Sequence, residues 1–109
     1  LNGKLDGMAM RVPTVTGSVV DLVVELEKNT IVEEINKIMA AAANETLGYT
    51  EDPIVSADVI GCEFGTLFDA QSTNVIDVDG RQMVKIITWY DNEISYNAEI
   101  NRTAKYLMK

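Results

Sequence analysis

Histidine is absent from this chain of 109 residues, and neither a P-loop pattern nor the G-x-G-x-x-G pattern of dinucleotide-binding folds occurs in it. The lack of histidine removes the Ser/His/Asp and Cys/His arrangements of nucleophilic enzymes, together with the usual imidazole ligands of metal ions. The lack of a glycine-rich phosphate loop leaves nucleotide binding at a helix start without support. We therefore expect no catalytic residue and no metal site within this chain.

Cysteine occurs once, at Cys62, so no disulfide can form within the chain. A free thiol is typical of a reducing compartment, which favours a cytoplasmic location. No cationic residue stands next to Cys62 in the sequence to stabilise a reactive thiolate. We therefore interpret it as a structural cysteine rather than a nucleophile.

Basic residues are also few, since 9 Lys and Arg stand against 17 Asp and Glu and give a net charge of −8. This balance argues against nucleic acid and anionic membrane as partners, because both are held by clustered cations. No apolar run approaches the roughly 20 residues that span a bilayer. A soluble chain is expected, and its start at Leu1 without a targeting segment suggests an excerpt of a longer protein.

Four segments of the chain are predicted to be strands. Residues 7–12 and 19–27 lie in the first half, and the second of these is the clearer because aliphatic residues alternate along one of its faces. Residues 66–78 and 82–91 follow later and flank an Asp-Gly pair at 79–80. Asp-Gly predicts an antiparallel hairpin, because both residues accept a positive φ.

Two helices are predicted. The first begins at Thr30, which forms a capping-box pattern with Glu33, and ends near residues 44–48. The second follows Asp91 and Asn92, either of which can cap it. It carries an apolar stripe at helical spacing, formed by Tyr96, Ile100, Ala104 and Leu107.

Residues 49–65 are predicted to be irregular, with one or two short extended pieces. The whole order predicts one α+β domain over residues 1–109, with a largely antiparallel, mixed sheet and helices packed on one face. Neither face of the strand at residues 83–90 is plainly polar. A second apolar sheet face needs cover, so we expect contact with another domain or subunit.

Two places stand out as candidate sites. Arg11 lies in an otherwise apolar segment, where a buried guanidinium needs an anion or several acceptors. From the residues alone, a structural ion pair is the favoured interpretation of Arg11. The other place is residues 89–96, where aromatic side chains flank a polar cluster at a strand-to-helix junction; from the residues alone it is an ordinary helix cap with aromatic core residues.

Four strings in the chain resemble the phosphorylating glyceraldehyde-3-phosphate dehydrogenases, in the order and nearly at the spacing of that family. They are LNGKLDGMAMRVPT at 1–14, VVDLVVELEK at 19–28, YTEDPIVS at 49–56 and WYDNE at 89–93. The resemblance implies an enzyme that oxidises glyceraldehyde 3-phosphate with NAD and inorganic phosphate through a cysteine thioester. The nucleophilic cysteine, the base histidine and the Rossmann domain of the family lie upstream of the matched part, so this chain is expected to be inactive alone and not to bind NAD tightly.

The resemblance also implies roles for individual residues. Arg11 matches the arginine that binds the substrate phosphate or the attacking phosphate, which reverses the preference for a structural ion pair. Asn92 matches the residue whose side-chain amide holds the nicotinamide carboxamide, Tyr96 matches the aromatic that packs by the ring, and Glu93 lies in the same motif. Ile94 and Ser95 replace the tryptophan and glycine usual in the family, as in some bacterial members.

The family assembles as a tetramer through sheet faces of its catalytic domains, so a homo-oligomer is expected of the intact enzyme. Its last helix packs on the cofactor domain. In this chain alone, the apolar stripe of the second helix is therefore expected to pack on the sheet or on another copy. The alternative function that we consider is a non-catalytic interaction or assembly module, which a second apolar sheet face would permit.

Overall fold

The computed structural model describes all 109 residues and contains five strands, two α-helices and two short 3-10 helices. The strands are β1 (Ser18–Glu25), β2 (Leu47–Thr50), β3 (Thr66–Asp69), β4 (Asn74–Val78) and β5 (Arg81–Tyr90). The helices are α1 (Val32–Ala42) and α2 (Ile94–Leu107), and the 3-10 helices are Ser56–Val59 and Ala70–Ser72. Neither α-helix has the length and hydrophobicity to cross a membrane.

The strands form one mixed sheet in the order β1-β5-β3-β2, with β4 also paired to β5. The longest strand, β5, pairs with β1 along one edge, while β3 and β4 share its other edge. All of these pairs are antiparallel, and only β2 and β3 are parallel. The predicted α+β class with a largely antiparallel sheet is therefore confirmed.

The hairpin between β4 and β5 confirms the Asp-Gly prediction. Val78 pairs with Arg81, so Asp79 and Gly80 form a two-residue turn. Their φ angles are 52° and 80°, and both are positive as this type of turn requires. The turn is therefore fixed by local chemistry alone.

One face of the sheet is covered by α1, and we call it the covered face. Ile35 of α1 packs there with Phe68 and Ala70, and with Val84 of β5, and the side chain of Phe68 has no exposed surface. The ring of Phe68 stacks on Tyr49, with 5.8 Å between ring centroids. The hydrophobic core of the chain thus lies between α1 and the centre of the sheet.

The opposite face has no such cover, and we call it the open face. Paired residues of β1 and β5 lie on the same face, and successive residues of a strand alternate between faces. The residues next in sequence to the core side chains therefore lie on the open face. Several of its apolar members keep between 40% and 51% of their surface exposed, among them Val19, Val23, Ile76 and Met83. Two ion pairs, Lys85–Asp21 at 2.9 Å and Arg81–Glu25 at 2.6 Å, lie among them. The apolar second face predicted for β5 is confirmed.

The strand predicted at residues 7–12 is wrong. Residues 1–17 contain no regular element, and apolar side chains such as Met8 and Met10 are 84% and 80% exposed. An extended segment becomes a strand only when its backbone N–H and C=O groups pair with a neighbour. No neighbouring strand pairs with these residues.

The single strand predicted at residues 66–78 is divided in the structure. The carboxylate of Asp69 accepts hydrogen bonds from the backbone N–H groups of Gln71 and Ser72, at 3.1 and 3.2 Å. These bonds bend the chain into a 3-10 turn, so β3 ends and β4 begins on the far side of the bend. A second 3-10 helix, at Ser56–Val59, was not predicted.

Both predicted helices are present, but the capping box at Thr30 is wrong. The hydroxyl of Thr30 lies 3.1 Å from the carboxylate of Glu34 rather than on a backbone N–H of the first turn. No side chain caps α1, which begins at Val32. The apolar stripe of α2 does not pack on the sheet, since Tyr96 and Leu107 are 67% and 76% exposed.

Candidate functional site

Asp91, between the end of β5 and the start of α2, is buried, with 2% of its surface exposed. Its carboxylate accepts three backbone hydrogen bonds, from Gly61 at 2.8 Å, Glu93 at 2.9 Å and Ile94 at 3.0 Å. The bonds from Glu93 and Ile94 cap α2, so of the two predicted capping residues Asp91 acts as the cap. These backbone donors, Gly61 first, lower the pKa of Asp91 to about 2.

Asn92, the next residue, is bound on one side only. Its Oδ1 atom accepts a hydrogen bond from the backbone N–H of Gly17 at 3.0 Å, and the Ser18 hydroxyl lies 3.4 Å from it. The Thr16 hydroxyl lies 3.3 Å from this oxygen and equally far from the Asp91 carboxylate, so its one proton is shared between the two acceptors. Its Nδ2 group has no hydrogen-bond partner in the chain. Asn92 is exposed, so this donor remains available to another molecule.

A shallow cavity of about 280 Å³ lies beside Asn92. Two of the predicted residues, Asn92 and Tyr96, line this cavity. Its full lining is Gly65, Tyr90, Asn92, Ser95, Tyr96 and Glu99.

A larger cavity of about 370 Å³ lies further along α2 and contains none of the predicted residues. It is lined mainly by polar and charged side chains, among them Arg102 and Lys105. Arg102 is already engaged by Glu99 at 2.8 Å and by the carbonyl of Glu63 at 3.0 Å. No group of three or more His, Cys, Asp or Glu residues in the chain could hold a metal ion.

The structure does not bring the four predicted residues together. Glu93 lies at the junction with Asn92 and Tyr96, but its side chain does not line their cavity. Arg11 lies in the exposed segment before β1, outside any strand and in none of the ion pairs. Both the buried setting expected for Arg11 and the structural ion pair favoured from the residues alone are therefore wrong.

The sequence of the chain matches a known protein family. The protein-family model described as "Glyceraldehyde 3-phosphate dehydrogenase, C-terminal domain" matches residues 1–92. The chain belongs to this family. The match includes Arg11 and Asn92, and stops short of Glu93 and Tyr96.

The chain is also similar to whole dehydrogenases from bacteria. It is 60% identical over all 109 residues to the glyceraldehyde-3-phosphate dehydrogenase of Streptococcus pyogenes, and 59% identical to that of Clostridium pasteurianum. It covers 32% and 33% of those two proteins, so it spans about a third of the length of these relatives. These alignments extend past residue 92 and include Glu93 and Tyr96.

The structure adds residues to the candidate site that sequence reasoning missed. Asp91 was expected only as a cap, yet it also fixes the loop at Gly61 and receives the Thr16 hydroxyl at 3.3 Å. Thr16 and Gly17 form no motif in the sequence that would mark them as part of the site. Their contact with Asn92 spans 75 residues or more of sequence, which no local pattern reveals.

Proposed function

We propose that this chain is the C-terminal part of an NAD-dependent glyceraldehyde-3-phosphate dehydrogenase, where it contributes nicotinamide-positioning and phosphate-binding side chains. The observation that carries this proposal is the shared cavity of Asn92 and Tyr96, with the Nδ2 donor of Asn92 free. The reaction assigned to the intact enzyme converts glyceraldehyde 3-phosphate and inorganic phosphate to 1,3-bisphosphoglycerate. NAD would supply the hydride acceptor for it.

The residues at the cavity fit the nicotinamide end of the dinucleotide. A carboxamide oxygen is an acceptor, and the free Nδ2 of Asn92 is a donor that matches it. The exposed ring of Tyr96 offers an aromatic surface beside that donor. No glycine-rich helix start is present for the pyrophosphate, so these residues would orient one end of the cofactor while other parts of the enzyme bind the rest.

Arg11 is proposed to bind a phosphate group of the substrate or the attacking phosphate. A guanidinium holds phosphoryl oxygens through two parallel hydrogen bonds. The guanidinium of Arg11 forms no ion pair with a carboxylate of this chain. Its exposure leaves it accessible to an anion. Glu93 is proposed to belong to the same cofactor-binding motif as Asn92. Its backbone N–H donates a hydrogen bond of 2.9 Å to the Asp91 carboxylate, which holds this part of the chain in place.

A chimeric enzyme tests the function. In it, this chain replaces the matching 109 residues of the S. pyogenes dehydrogenase, and NADH formation is measured with glyceraldehyde 3-phosphate, NAD and phosphate. We expect the chimera to be active and the isolated chain to be inactive, because the isolated chain has no histidine and no matched nucleophile. Turnover by the isolated chain, or a folded chimera without turnover, would contradict the proposal.

Two variants of the chimera separate the assigned roles. Asn92→Leu removes the amide donor, so the KM for NAD should rise about tenfold or more. Arg11→Ala should raise the KM for phosphate or for the aldehyde by a similar factor of about tenfold, because a charge-assisted contact is lost. Lys4→Ala, which removes another exposed cation of the same segment, should leave all three KM values unchanged.

The intact dehydrogenase is proposed to reside in the cytoplasm, because the free thiol of Cys62 is typical of a reducing compartment.

The intact dehydrogenase is also proposed to be a homo-oligomer in which the open face is covered by another copy. The exposed Val19, Val23 and Met83 support this arrangement. Sedimentation of the chimera should show an oligomer that Val23→Glu weakens. A Val23→Glu variant with unchanged assembly at all concentrations would contradict this use of the open face.

A further inference from the structure

The side-chain amide of Asn92 can face the cavity in two ways, and the chain selects one of them. Its Oδ1 atom lies 3.0 Å from the backbone N–H of Gly17, a donor that cannot rotate away. The Thr16 and Ser18 hydroxyls, at 3.3 and 3.4 Å, surround the same oxygen. A flipped amide would set its NH2 group against the Gly17 N–H and leave two donors facing each other, so Nδ2 must point away from this turn.

The turn that makes this selection is itself tightly held. Gly17 has a φ of +95°, and a Cβ added there would lie 3.2 Å from the carbonyl oxygen of Ser56 and 3.5 Å from Val59, which is fully buried. The Thr16 hydroxyl also lies 3.3 Å from the buried carboxylate of Asp91. Thr16 is therefore placed between Asp91 and Asn92, and the turn cannot shift without disturbing the start of α2.

We propose that the turn Thr16–Ser18 is a positioning element that holds Asn92 with its Nδ2 donor directed to the ligand, so that the bound group must present an acceptor oxygen. This inference rests on the proposed function, in which that group is the nicotinamide carboxamide. The residues of the turn need not touch the cofactor. They act through Asn92, and Gly17 makes the main contribution because it supplies the shortest bond.

Variants of Thr16 in the chimeric enzyme test the positioning role. Thr16→Val keeps the shape of the side chain but removes the hydroxyl, and the KM for NAD should rise about three- to tenfold as one hydrogen bond is lost. The KM values for aldehyde and phosphate should stay unchanged, because the Thr16 hydroxyl contacts only Asn92 and Asp91, and neither is proposed to bind these two substrates. Thr16→Ser should restore the KM for NAD, since it returns the hydroxyl.

Thr50→Val is the matched control. Thr50 is also partly buried, and it also uses its hydroxyl locally, as an acceptor for the Asp52 N–H at 3.0 Å. It should leave the KM for NAD as it was. A Thr16→Val enzyme in which all three KM values rise together, or one that Thr16→Ser fails to rescue, would overturn the positioning role.

A cofactor analogue tests the direction of the amide. The 3-acetylpyridine analogue of NAD keeps the carbonyl acceptor of the carboxamide and replaces its NH2 group with a methyl group. If Asn92 donates through Nδ2, the KM for this analogue should lie within about threefold of that for NAD. A rise well beyond about tenfold would mean that Asn92 accepts from the carboxamide instead, and would overturn the proposal.

Hydrogen exchange in the 109-residue chain tests the key bond without any cofactor. The Gly17 N–H should exchange slowly, and Asn92→Leu should speed its exchange about tenfold or more, while amides in β5 stay unchanged. If Asn92→Leu does not alter the exchange of Gly17, the positioning bond does not form and the inference fails, whatever the chimera does. If the bond is protected but Asn92→Leu leaves the KM for NAD unchanged, the proposed cofactor role fails instead.

Discussion

The two faces of the sheet carry side chains of similar character in very different settings. On the covered face, Phe68 and Val84 keep 0% and 1% of their surface exposed under α1. On the open face, Val23 of β1 and Met83 of β5 keep 51% and 40%. The alternation of a strand distributes apolar residues to both sides, but this chain places a helix across only one of them. Folding of these residues therefore depends on the covered face, while the apolar side chains of the open face remain in contact with solvent.

The largest expected contrast between the faces comes from removing one large side chain on each. Phe68→Ala leaves a cavity under α1 and should lower the free energy of unfolding by about 3–5 kcal/mol. Met83→Ala on the open face should lower it by less than about 1 kcal/mol, because the side chain is already partly in water. Urea unfolding of both variants measures the difference. Equal losses would mean that the open face is as well packed as the covered one.

Asp91 follows β5 and binds three backbone N–H groups with its carboxylate. Its replacement should cause the next largest loss in the free energy of unfolding. Asp91→Ala leaves the N–H groups of Gly61, Glu93 and Ile94 without their acceptor and should cost about 2–4 kcal/mol. The start of α2 should fray first, which circular dichroism and hydrogen exchange can detect.

The lowered pKa of Asp91 predicts that the free energy of unfolding decreases at acid pH. Its folded pKa is lowered to about 2, below the value near 3.9 of an unfolded aspartate, so its contribution is complete above that unfolded value. The contribution should be lost as the pH falls from about 4 to about 2. Asp91→Asn, which cannot titrate, should be less stable at neutral pH and show a flatter decline in this range. If both proteins lose the same free energy of unfolding over this pH range, other carboxylates cause the decline.

The strands of the β4–β5 hairpin contribute side chains to both faces of the sheet. A substitution in its turn should therefore have an intermediate effect on the free energy of unfolding. Gly80 has a φ of +80°, and Gly80→Ala should cost about 1–2 kcal/mol from backbone strain, although nothing blocks the added Cβ. Gly7→Ala, in the exposed segment and without a positive φ, is the control and should be neutral within about 0.5 kcal/mol. Thermal unfolding of the two variants compares them, and equal melting temperatures would contradict the role of the turn.

The smallest effect is expected on the open face itself. Val19→Thr keeps the β-branched shape at a position that is already half exposed, so the free energy of unfolding should change by less than about 0.5 kcal/mol. Urea unfolding checks this. A loss comparable with that of Phe68→Ala would show that the open face is buried even in the single chain.

Elements fixed by local chemistry were predictable from the sequence. The turn at Asp79 and Gly80 is one, because both residues themselves accept the φ values that it needs. The strand expected at residues 7–12 failed because a strand also needs a distant partner, and alternation cannot show whether one exists. The bend at Asp69 was missed because two backbone bonds to one carboxylate outweighed the β-propensity of the residues around it.

The candidate site divides in the same way. Asn92 and Tyr96 are four residues apart across the start of one helix, so their shared cavity follows from near neighbours in sequence. Gly17 reaches Asn92 only because β1 pairs with β5 in the register that sets Ser18 against Tyr90. That register is a property of the folded sheet, and it explains why the turn before β1 was not recognised as part of the site.

The outer edge of β1 has a consequence for handling the isolated chain. β1 pairs with β5 on one side only, and its other side presents unpaired backbone groups along a segment that is mostly valine and leucine. Such an edge is a template for strand addition between molecules, which leads to cross-β fibrils. Asp21, near the middle of the segment, is its only internal charge, and Lys85 lies 2.9 Å from it. Salt that screens electrostatic repulsion among these acidic chains should therefore shorten the lag before thioflavin-positive material forms.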